Sequence, residues 1–272
     1  MGGGASRVAW ETARRLVADY ETHILACGNV ETSTRDGVTI HSVPPKYPAT
    51  LLYSTLLKSG LTRSLKDIAP NIVHSHIALP WGYIFAKAKC ARVITCHGLG
   101  WLGLGWFGLD LKGGLKSPKR NYLVRPFLKT AISNADVVCV PSKRLAELIE
   151  DSYGVDCTIL PNGVDTHVFA PLEAKKRRSN VVLYVGRFTL SKGLADLLAA
   201  AKALPEYEFW LAGYGTGLAA SSSLPNVRLL GHVRNVNTLA SFYNQATLCA
   251  FPSYWESFSL VCTPYPLQAT LR

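Results

Sequence analysis

Short runs of β-branched and apolar residues alternate along this chain with longer segments of helical period, and that alternation restricts the fold more than any other feature. It is the pattern of a parallel sheet covered on both faces by helices. Strands are predicted at residues 23–26, 38–43, 72–76, 93–97 and 137–141, with helices between them. Pro80 suits the first turn of a helix over 82–88, and Ser142 is placed to cap a helix running to about Tyr153. A further strand at 157–160 leads into the turn-forming run Pro161-Asn162-Gly163-Val164-Asp165, and the basic run 175–178 follows. The alternation then restarts, with strands at 181–185, 208–212, 228–230 and 248–252 and helices at 192–204 and 239–244. Two α/β domains are expected, residues 1–165 and 166–272.

Both ends depart from that pattern. A glycine-rich turn entering a helix normally follows a strand, yet Gly2-Gly3-Gly4 opens the sequence, so the first strand of the first domain is expected to be missing. After residue 253, Pro264 and Pro266 obstruct the helix that the alternation calls for.

Composition removes several classes. A hydrophobic content of 48% with 17% charged residues is that of an ordinary globular chain. The longest apolar stretch, 99–111, is shorter than a bilayer span and is broken by four glycines. The N-terminal run lacks the apolar core and cleavage site of a secretory signal, and seven scattered cysteines form no CxxC pair, so a cytoplasmic setting is expected. A net charge of +11 implies attraction to something anionic. Part of it lies in Lys112, Lys116, Lys119, Arg120, Arg125 and Lys129, just after Trp101, Trp106 and Phe107. That stretch reads first as a solvated basic surface beside core aromatics, with peripheral contact with an anionic membrane at its inner face as the alternative. No nucleic-acid module accompanies the charge, so nucleic acid is not an expected partner. No GxGxxG with a following acid points to a dinucleotide.

Four places in the sequence carry chemistry. Residues 181–204 run apolar, turn at Gly186 and continue with apolar residues at helical spacing, with Arg187 and Lys192 bracketing the turn. In an open α/β sheet this is the carboxyl end of a strand, where ligands bind and helix amides face anions. Two cations there suit a diphosphate, and equally read as solvated surface residues. The amides near Gly3 and Gly4 offer a second approach to phosphate, or a flexible leader. His97 ends one predicted strand, and His74 and His76 end the one before, without the carboxylate and cysteine neighbours of a metal site. Glu256 follows the last clear strand, with Phe258, Ser259 and Leu260 supplying amides beside it.

The ordered set GGG, HG after a strand, ADVVCVPS, ILPNGVD, VGRF with SKG, LAGYGTG, VRLLGHV and FPSYWESFSL resembles the retaining glycosyltransferases of family 4, over nearly the whole chain to about Val261. The resemblance implies the GT-B fold, two Rossmann-like parallel-sheet domains facing across a cleft, the second of them incomplete here. It implies transfer of a sugar from a nucleoside-diphosphate sugar to a hydroxyl acceptor, a glycan, lipid-linked or small molecule, with retention at the anomeric carbon and no metal or other cofactor. Carried over by motif, Arg187 and Lys192 bind the donor diphosphate, and Gly3 or Gly4 approaches donor phosphate and sugar. Gly213 in LAGYGTG joins the donor-binding set. His97 lies near the transferred sugar, Glu256 is the first acid of a Glu-x7-Glu motif near its hydroxyls, and the amides at Phe258, Ser259 and Leu260 face phosphate. The motif's second acid, which holds the ribose in the family, is replaced by Pro264, and from Cys262 onward the resemblance ends. A chain truncated at both ends, with reduced or absent activity, is one expectation. The alternatives are a nucleotide-sugar epimerase or sugar-phosphate synthase on the same scaffold, or an inactive remnant that binds only nucleotide or a partner.

Overall fold

The computed structural model describes residues 4–27, 32–43, 51–98, 118–171, 180–215 and 224–264. They form two compact units, the first ending at Pro161 and the second starting at Asn162, inside the turn-forming run.

The first unit contains α1 (Gly4–Leu16), β1 (His23–Cys27), β2 (Ser33–Arg35), β3 (Val38–Val43), α2 (Leu51–Ile68), β4 (Ile72–Ser75), α3 (Tyr83–Phe85), β5 (Ala91–Thr95), α4 (Pro118–Ser133), β6 (Val137–Val140), α5 (Lys143–Tyr153) and β7 (Thr158–Ile159). Its strands make a three-stranded sheet, β1-β3-β2, and a four-stranded sheet, β4-β5-β6-β7. The second is parallel throughout. Its core gathers Ile94, Val138 and Val140 from the strands with Leu128 and Ile132 of α4 and Leu145 and Ile149 of α5. Leu145 and Ile149 are four apart and so share one helix face, and each fully buried side chain contributes about 1.5–3 kcal/mol. Gly154 ends α5 with φ 66°, its N–H donating to Glu150 O.

Four local expectations are corrected. The sheet is not uniformly parallel: β2 pairs antiparallel with β3. Asp36 and Gly37, with φ of 49° and 78°, form the tight turn that joins them, a conformation an Asp-Gly pair adopts readily. Pro80 does not open a helix over 82–88, because Leu79 is extended (φ −129°, ψ 140°) inside the turn Ala78–Gly82 and the helix that follows is only Tyr83–Phe85. Ser142 occupies the N-cap of α5 without capping it; its side chain makes no cap bond, and its Oγ is buried without a partner among the described residues. The strand that carries His97 stops at Thr95, so His97 stands two residues beyond it.

The second unit contains β8 (Val181–Arg187), α6 (Leu194–Ala203), β9 (Glu208–Tyr214), β10 (Val227–Gly231), α7 (Val236–Gln245) and β11 (Leu248–Cys249), with strand order β10-β9-β8-β11 and every pair parallel. Successive residues of a strand face opposite sides. On one side Val181 and Leu183 pack with Trp210 and with Ala240 and Tyr243 of α7, and on the other Val182 and Tyr184 pack with Phe209, Leu211 and Leu194, Leu197 and Ala201 of α6. A strand covered on both faces must be apolar without interruption, which is why VVLY shows no alternation. Asn235 caps α7, its side chain accepting from the N–H of Asn237 and of Thr238 at 2.9 and 3.1 Å. That cap starts the helix three residues before the expected 239. Among the described residues no helix is long and apolar enough to cross a membrane.

Candidate functional site

In the second unit β8 lies at the centre, with β9 and β10 to one side and β11 to the other. The order therefore reverses at β8, and the carboxyl ends of β8 and β11 border the crevice where open α/β sheets take ligands. Two sequence-predicted residues meet there, and a third ends β8.

Arg187 is the last residue of β8, exposed, and in register with Tyr214 of β9. Its carbonyl accepts from Tyr184 Oη at 2.7 Å, which anchors the strand end to the core. Burial, with Glu256 nearby, pushes the Tyr184 phenol up to about 12, so it stays a donor at neutral pH. Past Phe188 a single 3₁₀ turn, Leu190–Lys192, precedes α6; the expected helix from 192 is interrupted because Gly193 is left-handed at φ 68°. A Cβ on Gly193 would stand 2.0 Å from Pro252 O, so the backbone after β8 and the backbone after β11 touch where only glycine fits. Beside that contact Tyr254 N donates to Ser191 O at 3.2 Å. These two links set the next side chains together, and Lys192 Nζ lies 2.5 Å from Glu256 Oε1.

Gly213 pairs with Gly186 across β8 and β9, and a Cβ on it would stand 1.8 Å from Gly186 O. Gly213 thus serves close backbone packing behind Arg187. After Glu256 the chain turns at Ser259, whose Oγ accepts from Cys262 N at 3.3 Å while its carbonyl accepts from Thr263 N at 3.3 Å. Phe258 and Leu260 flank that residue, and Tyr243 Oη of α7 donates to Val261 O at 2.6 Å. Helical turning thus begins before Pro264, the last described residue, which sits eight positions past Glu256 and offers no acceptor side chain.

In the first unit, β4 and β5 are neighbours and the histidines past their carboxyl ends meet. His76 Nδ1 lies 3.0 Å from His97 Nε2, with ring centroids 5.3 Å apart and planes within 12°. His74 stacks on His76 at 4.2 Å, and its Nε2 bonds Thr95 Oγ1 at 2.7 Å. Burial and the neighbouring imidazoles push His76 down to about 3 and His97 down to about 4, and burial lowers His74. All three are neutral at physiological pH. Among the described residues no group of three or more His, Cys, Asp and Glu stands ready to hold a metal ion.

Gly4 is exposed as the first residue of α1, and Gly3 lies outside the described residues. So do Trp101, Trp106, Phe107, Lys112 and Lys116 of the basic-aromatic stretch. Arg125 in α4 donates to Ser152 O at 3.1 Å. Sequence reasoning missed the roles of Gly193, Ser191, Tyr254 and Tyr184. Only Gly193 carried a signal, as a glycine set between two helical turns.

Comparison with known proteins agrees with this architecture. A profile described as Glycosyltransferase Family 4 matches residues 2–168, more than half of the chain, and one described as Glycosyl transferases group 1 matches residues 179–265. An uncharacterized glycosyltransferase of Methanocaldococcus jannaschii is 26% identical over 95% of this chain and 71% of its own length. The chain spans only 54% and 51% of two further curated relatives. The fold matches sucrose-phosphate synthase from Thermosynechococcus elongatus with a TM-score of 0.81, at 19% identity, covering 97% of this chain and 73% of that one. It also matches the catalytic domain of starch synthase IV from Arabidopsis thaliana, solved with ADP and acarbose, with a TM-score of 0.60 at 17% identity, over 85% of this chain and 65% of that one. On the family match and a fold shared with GT-B glycosyltransferases, the chain belongs to Glycosyltransferase Family 4.

Proposed function

We propose that this glycosyltransferase moves a sugar from a nucleoside-diphosphate sugar to a hydroxyl acceptor with retention at the anomeric carbon. The observation that carries the reading is the ion pair of Lys192 with Glu256 at the strand-order reversal of the second unit, beyond the strand that ends at Arg187. Arg187 and Lys192 neutralise the diphosphate as it leaves, so that no metal is required for that step. Glu256 exchanges Lys192 for hydroxyls of the transferred sugar, and His97, neutral, is the candidate in the first unit for a sugar hydroxyl. The bond from the anomeric carbon to the phosphate oxygen breaks, the bond to the acceptor oxygen forms on the same face, and the acceptor proton passes to the departing phosphate. This assignment gives no side chain the work of a general base. Binding of ADP by a fold relative is consistent with the diphosphate assignment.

The test is transfer and donor hydrolysis measured across a panel of nucleotide sugars, with Arg187→Ala and Lys192→Ala alongside. Loss of an ionic hydrogen bond predicts a decrease of about tenfold or more for each variant. Wild-type rates in both variants would remove the site from consideration.

A further inference from the structure

The carboxyl edge of the second sheet carries side chains that the diphosphate and sugar assignments do not use. Tyr214 is the last residue of β9 and pairs in register with Arg187, so the two side chains leave the sheet on the same face, from strands about 4.8 Å apart. The Tyr214 side chain is 51% exposed, and its ring meets that of His232, one residue past β10, with centroids 4.8 Å apart and planes at 55°. Its backbone is held in place. Phe188 N donates to Tyr214 O at 2.7 Å, and a Cβ on Gly215 would stand 2.6 Å from Phe188 O. The chain leaving β9 is thus clasped to the chain leaving β8, and a half-exposed aromatic corner is fixed beside the strand end that carries Arg187.

We propose that Tyr214, backed by His232, is the stacking platform for the nucleobase of the donor. This rests on the assignment of Arg187, Lys192 and Glu256 to the diphosphate and the sugar. Given that assignment, the strand order β10-β9-β8-β11 favours the base over the sugar as the group that meets the ring. Along the carboxyl edge His232 follows β10, Tyr214 ends β9, Arg187 ends β8 and Glu256 follows β11. A sugar at Glu256 and a diphosphate beyond β8 leave the nucleoside on the β9 side. A tyrosine suits it there, because every base has a π-face and the phenol ring offers a rigid one to stack on. Pro264 gives the ribose no acceptor side chain, which places more of the nucleoside's binding on its base.

Calorimetry of the full chain with ADP and with inorganic pyrophosphate, which has no base, separates the stack from the cations. Tyr214→Ala is expected to weaken ADP binding about tenfold, as loss of one base stacked on an aromatic side chain does, while binding pyrophosphate as the wild type does. Tyr214→Phe keeps the ring and is expected to bind ADP as the wild type does. Wild-type ADP affinity in Tyr214→Ala overturns the proposal. So does an equal loss of ADP and pyrophosphate in that variant, which marks damage to the cation site rather than a lost stack. A loss in Tyr214→Phe as large as in Tyr214→Ala overturns it too, since the hydroxyl and not the ring is then the contact, as does a wild-type chain that binds ADP no better than pyrophosphate. Failure of the diphosphate assignment reads out separately, as wild-type pyrophosphate binding in Arg187→Ala and Lys192→Ala; the loss of ADP affinity in Tyr214→Ala still decides whether the ring meets the base.

Discussion

Lys192 Nζ and Glu256 Oε1 form an ion pair at 2.5 Å, although 64 residues separate them in the chain. The cation assigned to the donor diphosphate is thus already engaged by the acid assigned to the donor sugar. A partly exposed pair of this kind is worth about 0.2–1 kcal/mol. Glu256→Gln is therefore expected to tighten binding of the bare nucleoside diphosphate by up to about fivefold while lowering sugar transfer. Calorimetry with ADP or UDP beside turnover checks it; a variant that weakens both would show that Glu256 does not compete for Lys192.

The contact of Gly193 with Pro252 gives the site its sharpest packing constraint. An alanine at 193 faces a left-handed backbone and an oxygen 2.0 Å from its Cβ, whereas one at Gly154 meets the same backbone (φ +66°) with nothing within 4 Å. Gly154→Ala is expected to cost about 1–2 kcal/mol and Gly193→Ala clearly more, with diphosphate binding lost only in the latter. Denaturant titrations of the two variants, with binding measured at low denaturant, distinguish them.

The histidine stack makes the first unit acid-sensitive. His97 and His76 titrate near 4 and 3 in the folded chain, against about 6.5 when unfolded. Below pH 6.5 the unfolded chain binds protons that the folded one refuses. Stability is accordingly complete above 6.5 and declines as pH falls toward 4 and then 3. His97 alone accounts for roughly 2–3 kcal/mol lost by pH 4.5. Melting temperatures from pH 7.5 to 4.5 should fall, and a His76→Phe chain should fall less; identical slopes would count against the buried neutral stack.

Two helix caps should respond oppositely. Asn235 holds two amides of α7, and Asn235→Ala is expected to cost about 1 kcal/mol. Ser142 holds none and, among the described residues, buries its hydroxyl without a partner, so Ser142→Ala is expected to be neutral or stabilising. Paired unfolding midpoints decide it.

Pro264 predicts a donor preference. With a proline where the family places a ribose-binding acid, a nucleotide sugar lacking the ribose hydroxyls is expected to bind within about threefold of its parent, since the missing ionic hydrogen bond would have contributed about 1.5–3 kcal/mol. Strong discrimination against the deoxy donor would show that another group holds the ribose.

What the sequence disclosed, and what it withheld, follows from the range of the interactions. The run VVLYV announced a strand because burial on two faces leaves no polar position in it, and the helix expected between Ser142 and about Tyr153 is α5. The antiparallel pair at Asp36-Gly37 was also written locally, but the surrounding parallel pattern outweighed it. Ser142 shows the opposite failure, a residue type suited to capping whose hydroxyl the fold turns inward. The meeting of Lys192 with Glu256 and of His76 with His97 depends on strand order and on contacts such as Tyr254 N to Ser191 O. No local pattern encodes those.

The junction of Gly193 with Pro252 also has a temporal meaning. It closes a loop of about sixty residues, at an entropic cost of roughly 3–4 kcal/mol, so neither flank of the crevice holds its shape before β11 has docked beside β8. Affinity for a diphosphate therefore matures late, as one of the last properties the second unit acquires while folding. A ligand that bridges the two flanks will in turn delay their separation during unfolding.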